Sequence, residues 1–420
     1  MSRHQSSILD IRPFKALLYD TQKVNGDDVT APPYDVIDNS QKEALYAKSP
    51  YNIVRIDFGK DLEGDNGQNK YTRANEYLHN WINKGILKRD KEASLYIYEI
   101  DYVIKGQKLC LKGVLAIMRL QELGDGIYPH EATHSKPKTD RLNLMKSCHA
   151  NISSIFTLYR GDFPLDSLPS EKIFESRQED RTIHKLYKVS DNTMIKAFTE
   201  GIKNKPILIA DGHHRYEVAL EFKRLFYNGE IQGLTDLGQG NNPWDYVLTY
   251  LVDINHSDLT ILPTHRLIRD MAMDNILDAL QRHFIIKRHH FKDSDELEDT
   301  LSASGKGSFG LYMGKDECFI LKYKGNSLDS LPRQLRNVDT VILQELILKE
   351  DLKTEDITYE MDLKKAITMV EEKAFKALFV LNHTPVGEIE EVALANLRMP
   401  PKSTYFYPKL LTGMVIYPFF

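Results

Sequence analysis

The stretch ILIADGHHRYEVAL, residues 207–220, decides how the centre of this chain folds. Residues 208–210 form a short apolar run that predicts a buried strand, and Tyr216 and Leu220 recur at helical spacing after it. The polar block 211–215 therefore lies at a strand-to-helix turn. A helix start presents unpaired backbone N–H groups and the positive end of the helix dipole, so this turn predicts an anion-binding site.

The composition excludes several classes of protein. The 420 residues are enough for two or three domains, and 55 basic and 60 acidic residues are interspersed, for a net charge of -5. This balance argues against nucleic acid or an anionic membrane as the main partner. The three cysteines, Cys110, Cys148 and Cys318, fit neither a disulfide framework nor a cysteine zinc site. With no signal-like or membrane-spanning apolar run, we expect a soluble cytoplasmic protein.

Helical and strand patterns are mixed along the chain without a regular βαβ alternation, so we predict an α+β fold. Apolar alternation and β-branched runs predict strands at 52–58, 154–159, 246–254 and 374–382, and hairpins at 94–120 and 309–325. Apolar spacing predicts helices at 71–87, 141–149, 191–202, 273–284, 295–304 and 338–350, and turn residues predict a loop at 121–140.

The segment HEATH, residues 130–134, matches the H-E-x-x-H pattern of zinc hydrolases. That pattern needs a helix, because the two histidines must lie one turn apart on one face. Pro129 precedes the segment and Pro137 follows it, so we expect no long helix and no zinc site here. A zinc hydrolase is the third of three functional hypotheses.

Other polar loops have a composition similar to that of residues 211–215. They contribute Tyr34 and Asp35 from 31–38, Glu131, Thr133, Lys138 and Arg141 from 130–141, His265 and Arg266 from 263–266, and Lys402, Ser403, Thr404 and Lys409 from 399–413. Carboxylates and basic groups on one face would bind a metal and a polyanion together. Taken singly, each has an ordinary explanation: a turn cap for Asp35, a helix cap for Asp211, and solvated surface charge for the lysines.

Seven motifs, in this order, resemble one large bacterial family known as a domain of unknown function. They are APPYDVI (31–37), NIVRID (52–57), HE-x-T…PK-x-DR (130–141), N-x-S-x-IF-x-LY (151–159), ADGHHRYE-x-A (210–219), LPTHR (262–266) and MPPKSTYFYPKLLTG-x-V (399–415). Members of that family are similar to the ParB/sulfiredoxin superfamily and to the free-serine kinases within it. The resemblance extends from about residue 10 to the C-terminus. It departs from the family at Ser154, where a proline is usual, and at His134, which is not a family position.

The resemblance implies a ParB/sulfiredoxin-like phosphate-binding core with additional α/β elaborations. It also implies a kinase that transfers a phosphoryl group from pyrophosphate or a nucleotide to free L-serine, giving O-phosphoserine. The implied catalytic residues are Asp35, Glu131, Asp211 and His214, with Asp35 or Glu131 as the base. The implied phosphate-binding residues are Gly212, His213, His214, Arg215, Lys138, Arg141, Arg266, Lys402, Ser403, Thr404 and Lys409. Tyr34, Thr133 and His265 would bind the substrate, and Asp211 and Glu131 would bind Mg²⁺ as the cofactor.

The same resemblance suggests how the chain is divided. We predict a catalytic region at 1–269, an inserted or accessory α/β segment at 270–335, and a C-terminal α/β segment at 336–420 that returns to the active site. The second functional hypothesis is a nucleotide-binding regulatory module resembling ParB, without kinase activity. We expect no nucleic-acid partner, because the charge balance is acidic and no helix-turn-helix is recognisable. The sequence leaves the oligomeric state open.

Overall fold

The computed structural model describes residues 9–66, 69–133, 135–161, 163–165, 170–269, 276–315, 317–325 and 327–420. The chain divides into two compact units. Unit 1 contains the described residues up to Pro129, then Thr133–Leu259 and Pro408–Phe420, and unit 2 contains His130–Ala132 and Thr260–Tyr407. Sheets of mixed and antiparallel strands occur together with helices, so the fold is α+β, as predicted.

Unit 1 is built on a nine-stranded sheet. Its strands are β1 (Ile11–Arg12), β4 (Leu95–Ile104), β5 (Gln107–Arg119), β6 (Ile127–Pro129), β8 (Ile155–Tyr159), β9 (Glu171–Arg177), β10 (Ile183–Val189), β11 (Ile207–Asp211) and β12 (Tyr246–Asp253). The order is β6-β11-β8-β12-β5-β4-β10-β9, with β1 paired to β5. Two smaller pairs join β2 (Leu17–Tyr19) to β3 (Leu87–Arg89) and β7 (Ala150–Asn151) to β21 (Tyr417–Pro418). Most neighbours are antiparallel, whereas β11 runs parallel to β6 and β12 runs parallel to β8.

The helices of unit 1 lie between its strands along the chain. They are α1 (Gly26–Val29), α2 (Asn39–Lys48), α3 (Val54–Asp57), α4 (Asn69–Asn83), α5 (Ser135–Cys148), α6 (Asn192–Ile202) and α7 (His213–Tyr227), with a 3₁₀ turn at Pro243–Asp245. The predicted helices at 71–87 and 191–202 are confirmed as α4 and α6. The predicted hairpin at 94–120 is confirmed as β4 and β5, which turn at Lys105 and Gly106 in the left-handed region.

Two local predictions in unit 1 are wrong. Residues 52–58 form the short helix α3 instead of a strand, because Asn52 Oδ1 accepts a hydrogen bond from the Val54 N–H and starts the turn. The apolar alternation arose because Ile53, Val54 and Ile56 are all buried by a helical turn. The loop predicted at 121–140 contains β6 and the first residues of α5. Position 137 lies in the first turn of α5, where a proline breaks no intrahelical hydrogen bond.

Unit 2 contains a six-stranded antiparallel sheet of order β15-β17-β16-β19-β14-β18 and a separate β13-β20 pair. The strands are β13 (Thr260–Leu262), β14 (His265–Ile268), β15 (Phe284–His290), β16 (Ser308–Tyr312), β17 (Glu317–Tyr323), β18 (Ile357–Glu360), β19 (Ala377–Leu381) and β20 (Tyr405–Tyr407). The helices are α8 (Ile276–Leu280), α9 (Ser294–Ser304), α10 (Asp339–Ile342), α11 (Leu363–Glu371), α12 (Val386–Leu394) and a π-helix, Leu343–Asp351.

Two apolar clusters form the core of unit 2. Leu267 and Leu378 belong to one cluster, and their chain neighbours Ile268 and Phe379 belong to the other. Successive residues of a strand point to opposite faces, so both faces of the sheet are buried. The hairpin predicted at 309–325 is confirmed. The predicted helix at 338–350 is helical but continues from α10 as a π-helix, and part of the helix predicted at 273–284 lies outside the described residues.

Candidate functional site

The strand-to-helix turn predicted from the opening stretch lies between β11 and α7. Gly212 is the N-cap of α7 and has a φ of 89°, in the left-handed region that favours glycine. A Cβ at this position would lie 3.0 Å from Arg215 Nε and 3.0 Å from Ile155 Cγ2. Glycine therefore serves two needs, the backbone angle and the close approach of the Arg215 side chain. The N-cap of α7 is therefore Gly212, and the ordinary explanation of Asp211 as the cap of this helix is wrong.

Two cations flank the Asp211 carboxylate beside this turn. Arg215 Nη2 lies 3.2 Å from Asp211 Oδ2, and Lys409 Nζ lies 3.5 Å from Asp211 Oδ1. The Arg215 guanidinium also donates to the Ser154 carbonyl, which holds its position. The three side chains carry a net positive charge at the start of a helix. An anion is therefore favoured there by both the side chains and the helix dipole.

The first turns of α7 carry the other predicted groups of this motif. His213 is buried and His214 is half-buried. Glu217, one turn further on, accepts a hydrogen bond from Thr133 Oγ1 at 2.9 Å and pairs with Lys138 Nζ at 2.6 Å. Thr133 and Lys138 therefore both contact α7, the helix that Gly212 caps.

A buried ion pair lies near this helix start. Arg141 of α5 donates from Nη1 to Asp57 Oδ1 at 2.8 Å and from Nη2 to the Asp57 carbonyl at 2.7 Å. Both side chains are buried, at 7% and 4% exposure. Burial raises the pKa of Asp57 above its ordinary value, although Arg141 and Arg215 act to lower it. The Arg141 guanidinium also lies 3.9 Å from the ring centroid of Tyr34, and burial raises the pKa of Tyr34 to about 12.

A small cavity joins these groups. Asp57, Arg141 and Arg215 line it together with the apolar side chains of Leu144 and Val218. The two arginines therefore face one space, although they come from α5 and α7. Such an arrangement concentrates positive charge in a partly apolar setting, where hydrogen bonds to an anion are strengthened.

Asp35 lies outside this cavity as an exposed residue in the turn that follows Pro33. The Val36 N–H donates to the Pro33 carbonyl at 3.1 Å and closes the turn. The negative charge of Asp35 contributes to raising the pKa of the neighbouring Tyr34. The carboxylate is therefore accessible and adjacent to a ring that contacts Arg141.

The remaining predicted residues belong to unit 2. Glu131 forms an isolated bridge with Met399, and Glu131 Oε1 accepts a hydrogen bond from the Lys402 backbone N–H at 2.6 Å. Arg266 donates to the Lys402 carbonyl at 2.9 Å and stacks over the Tyr359 ring at 5.0 Å. Burial lowers the pKa of Arg266 to about 10. Glu131, Lys402 and Arg266 are therefore one connected group.

The hydroxyl and imidazole groups of this region have hydrogen-bond partners within the protein. Thr404 Oγ1 lies 2.9 Å from His130 Nε2, and Ser403 Oγ donates to the Pro400 carbonyl at 2.7 Å. His265 is fully buried in β14, where its Nδ1 accepts from the Leu381 N–H at 3.2 Å. Burial lowers the pKa of His265 to about 3, which favours a structural role for this neutral ring.

The structure thus assigns the predicted site residues to two groups. The group in unit 1 contains Tyr34, Asp35, Thr133, Lys138, Arg141, Asp211, Gly212, His213, His214, Arg215 and Lys409, and the group in unit 2 contains Glu131, His265, Arg266, Lys402, Ser403 and Thr404. In the HEATH segment Glu131 lies in a β-bridge, α5 begins only at Ser135, and His134 lies outside the described residues. Sequence reasoning missed Asp57 and Glu217, although both occur inside motifs that it singled out.

The fold and this site define an α+β protein in which two cations flank the carboxylate at a strand-to-helix turn. A family model described as "Protein of unknown function (DUF1015)" matches residues 11–341, and the chain belongs to this family. No curated protein matches the sequence. Among the residues that the structure describes, every helix is too short or too polar to cross a lipid bilayer.

Solved structures with a weak likeness to this chain include three of interest. A variant of a free serine kinase in complex with AMP is 13% identical, with a TM-score of 0.37, over 70% of this chain and 87% of that one. A conserved hypothetical protein from Pyrococcus furiosus is 13% identical, with a TM-score of 0.35, over 70% and 90%. A C-terminally truncated SbnI from Staphylococcus aureus is 10% identical, with a TM-score of 0.35, over 71% and 85%.

Proposed function

We propose that this protein is a small-molecule kinase that transfers a phosphoryl group from pyrophosphate, or from a nucleotide, to the hydroxyl of free L-serine. The observation that carries the proposal is the turn at Gly212, where Arg215 and Lys409 flank Asp211 at the start of α7. The seven motifs support a phosphate-binding core of the ParB/sulfiredoxin type. The product would be O-phosphoserine.

The donor would bind at the start of α7. Its phosphate oxygens would accept hydrogen bonds from the backbone N–H groups that follow Gly212, while Arg215 and Lys409 would neutralise their charge. Pyrophosphate offers no base or ribose to recognise, so a site of backbone amides, arginine and lysine is sufficient for it. Arg141, held by Asp57, would contribute a second guanidinium from the shared cavity.

Magnesium fits this arrangement through Asp211. Mg²⁺ is commonly held by only one or two carboxylates together with phosphate oxygens, and the Asp211 side chain is partly exposed, at 27%. Its contacts with Arg215 and Lys409 are 3.2 and 3.5 Å long. The bound ion would neutralise charge on the donor phosphates.

The acceptor hydroxyl needs a base. Asp35 would accept the proton of the serine hydroxyl while its oxygen bonds to the donor phosphorus and the bond from that phosphorus to the leaving phosphate breaks. Asp35 is exposed and adjacent to Tyr34, whereas Glu131 already accepts a hydrogen bond from Lys402. Tyr34 and Thr133 would position the substrate.

Phosphorus NMR of the purified protein tests this function directly. Samples with Mg²⁺ and L-serine would receive pyrophosphate, ADP or ATP in parallel, and we expect an O-phosphoserine signal with one of these donors. Arg215→Ala should abolish the signal, because the guanidinium beside the turn is lost. Arg224→Ala is the matched control, since Arg224 lies on the same helix and pairs with the exposed Glu122.

The outcomes separate the kinase from the regulatory module. Product that disappears in Arg215→Ala and persists in Arg224→Ala supports the kinase. No product with any donor, together with a melting temperature raised by nucleotide, would replace the kinase by a nucleotide-binding module.

A further inference from the structure

A second cluster of ligating side chains lies in unit 2 and shares no residue with the predicted site. His283 precedes β15, and Glu350 and Asp351 end the π-helix. One ligand atom from each of these three side chains lies within 4.8 Å of the other two. This is the one such three-residue group found among the described residues.

The imidazole of His283 is held in one orientation. Its Nδ1 lies 2.8 Å from Ser327 Oγ, and its Nε2 lies 3.2 Å from Glu350 Oε1. When Nδ1–H donates to the serine hydroxyl, Nε2 carries the lone pair and faces the Glu350 carboxylate. Metal-binding histidines commonly have such a partner on the second ring nitrogen, because it fixes the tautomer and the direction of the ring.

The burial of Asp351 is a second, independent observation that points to a ligand. Its side chain is 0% exposed, and its Oδ2 has no hydrogen-bond partner among the described residues. The other oxygen, Oδ1, accepts from the Arg282 guanidinium. A buried carboxylate oxygen without a partner is unfavourable, so a cation at Oδ2 would remove that penalty.

The backbone that presents the two carboxylates is also unusual. Residues 343–351 form a nine-residue π-helix, a conformation that is rare and occurs frequently at functional sites. Glu350 and Asp351 are its last two residues, and they lie within the turn that the Leu352 N–H closes by donating to the Ile347 carbonyl. The π-helix therefore ends at the same residue, Asp351, whose buried Oδ2 has no hydrogen-bond partner among the described residues.

We propose that His283, Glu350 and Asp351 form a binding site for a divalent transition-metal ion of the zinc class. One imidazole nitrogen with two carboxylate oxygens suits Zn²⁺, whereas Mg²⁺ prefers oxygen ligands alone. The two carboxylates carry one negative charge more than Arg282 balances, which favours a dication. Ligand atoms around tetrahedral zinc lie about 3.4 Å apart, so the three side chains need a small inward rotation. Glu350, at 46% exposure, has room for it and leaves an open entry path.

A titration of the full-length protein with zinc alone tests this site. Protein stripped with EDTA and dialysed would compete with a chromophoric chelator for Zn²⁺, and we expect one tightly bound equivalent. His283→Ala and Asp351→Asn should each weaken binding at least about tenfold, and Ser327→Ala should weaken it about 10- to 100-fold by freeing the ring. His290→Ala, an exposed histidine at the end of β15, is the matched control and should bind as the wild type does.

Binding with the same affinity in the wild type and in His283→Ala would overturn the proposal, as would equal weakening by His290→Ala. If Asp351→Asn does not fold, because Arg282 loses the negative charge of Asp351, His283→Ala and Ser327→Ala decide the question. Substitution of Co²⁺ adds a spectroscopic check, since its visible absorption should change in Ser327→Ala and stay unchanged in His290→Ala. The zinc titration contains no phosphoryl donor and no serine. Its outcome is therefore independent of whether the kinase proposal is correct.

Discussion

Gly212 is the residue on which the candidate phosphate site depends most directly. Gly212→Ala should destabilise unit 1 and displace Arg215, because alanine is strained at a φ of 89° and its Cβ would lie 3.0 Å from Arg215 Nε. The backbone strain alone is about 1–2 kcal/mol. Gly229→Ala isolates that strain, since Gly229 has a φ of 80° and a Cβ there would meet nothing within 4 Å.

Urea unfolding followed by tryptophan fluorescence would give the midpoint urea concentration of each variant. We expect Gly229→Ala to lower the midpoint by the backbone strain only and to retain phosphate binding. Gly212→Ala should lower it further and lose phosphate binding. Equal midpoints with phosphate binding retained in both variants would show that the close contact with Arg215 is unimportant.

The buried pair of Arg141 and Asp57 should be far more sensitive than a surface pair. Arg141→Met leaves the Asp57 carboxylate buried without its partner, which should lower the free energy of unfolding by about 3–5 kcal/mol. Arg224→Met removes an exposed pair, with side chains 56% and 70% accessible, and should change it by about 0–1 kcal/mol. Chemical denaturation compares the two, and similar losses would contradict the importance of burial.

The sequence identifies some residues of the candidate site and gives no signal for others. The turn at Gly212 was predictable because a glycine between an apolar run and a helical repeat has a local signature. Asp57 was not predictable as the partner of Arg141, because the pair joins positions 84 residues apart and residues 52–58 imitate a strand. Glu217 occurs in the same motif as Gly212, and its spacing of one helical turn from His213 was the available signal.

At the scale of elements, the antiparallel pairing of β10 with β4 buries a histidine that should make stability depend on pH. His184 Nδ1 lies 2.7 Å from Tyr98 Oη, Nε2 lies 2.9 Å from Thr182 Oγ1, and burial lowers the pKa of His184 to about 3. The folded protein keeps this ring neutral, whereas the unfolded chain binds a proton below about pH 6.5. Stability is therefore fully present above pH 6.5 and is lost as pH falls towards 3.

The expected loss from this one group is about 2 kcal/mol between pH 7.5 and pH 5. His184→Gln should have a lower free energy of unfolding than the wild type at pH 7.5. Between pH 7.5 and pH 5, however, its free energy of unfolding should fall by about 2 kcal/mol less than that of the wild type. His290→Gln, which changes an exposed histidine, should keep the wild-type drop. Urea unfolding at both pH values measures these differences, and an unchanged drop in His184→Gln would contradict the neutral buried ring.

Elements with regular periodicity were predictable, and elements that depend on tertiary contacts were not. The apolar spacing of Ala74, Leu78 and Trp81 matches the buried face of α4. The π-helix was predicted only as a helix, because its extra residue per turn has no clear signature in the apolar spacing of 338–350. Short elements such as α3 follow from side-chain caps and burial more than from propensity.

At the scale of the whole molecule, each of the two units has its own buried core. Both tryptophans, Trp81 and Trp244, belong to unit 1 and are buried there. Intrinsic tryptophan fluorescence should therefore report the unfolding of unit 1, whereas calorimetry reports both units. We expect Leu378→Ala, in the core of unit 2, to lower a calorimetric transition that fluorescence does not follow.

Loss of a buried leucine side chain is worth about 2–5 kcal/mol, enough to move the transition of unit 2 by several degrees. Leu248→Ala, in β12 of unit 1, is the reciprocal control and should move the fluorescence transition. A single transition in which both probes shift together in Leu378→Ala would refute separate unfolding.

The division predicted at residues 269 and 335 stays a prediction. A boundary in a sequence is sought where composition changes, but the units here are defined by contacts between distant segments. Residues 408–420 return to unit 1 after the whole of 260–407. No local pattern near residue 408 announces that return, since the proline-framed motif continues across it without a break.

That return determines the order in which the two units can be completed during translation. Within residues 408–420, β21 pairs with β7, the Leu411 N–H donates to Tyr98 Oη, and Thr412 Oγ1 donates to Asp57 Oδ2. The ribosome makes these residues after all of 260–407. All of unit 2 is therefore synthesised before unit 1, begun first, receives residues 408–420. A chain that stalls just after residue 407 would contain all of unit 2 but would lack Lys409 and the strand β21, which complete unit 1.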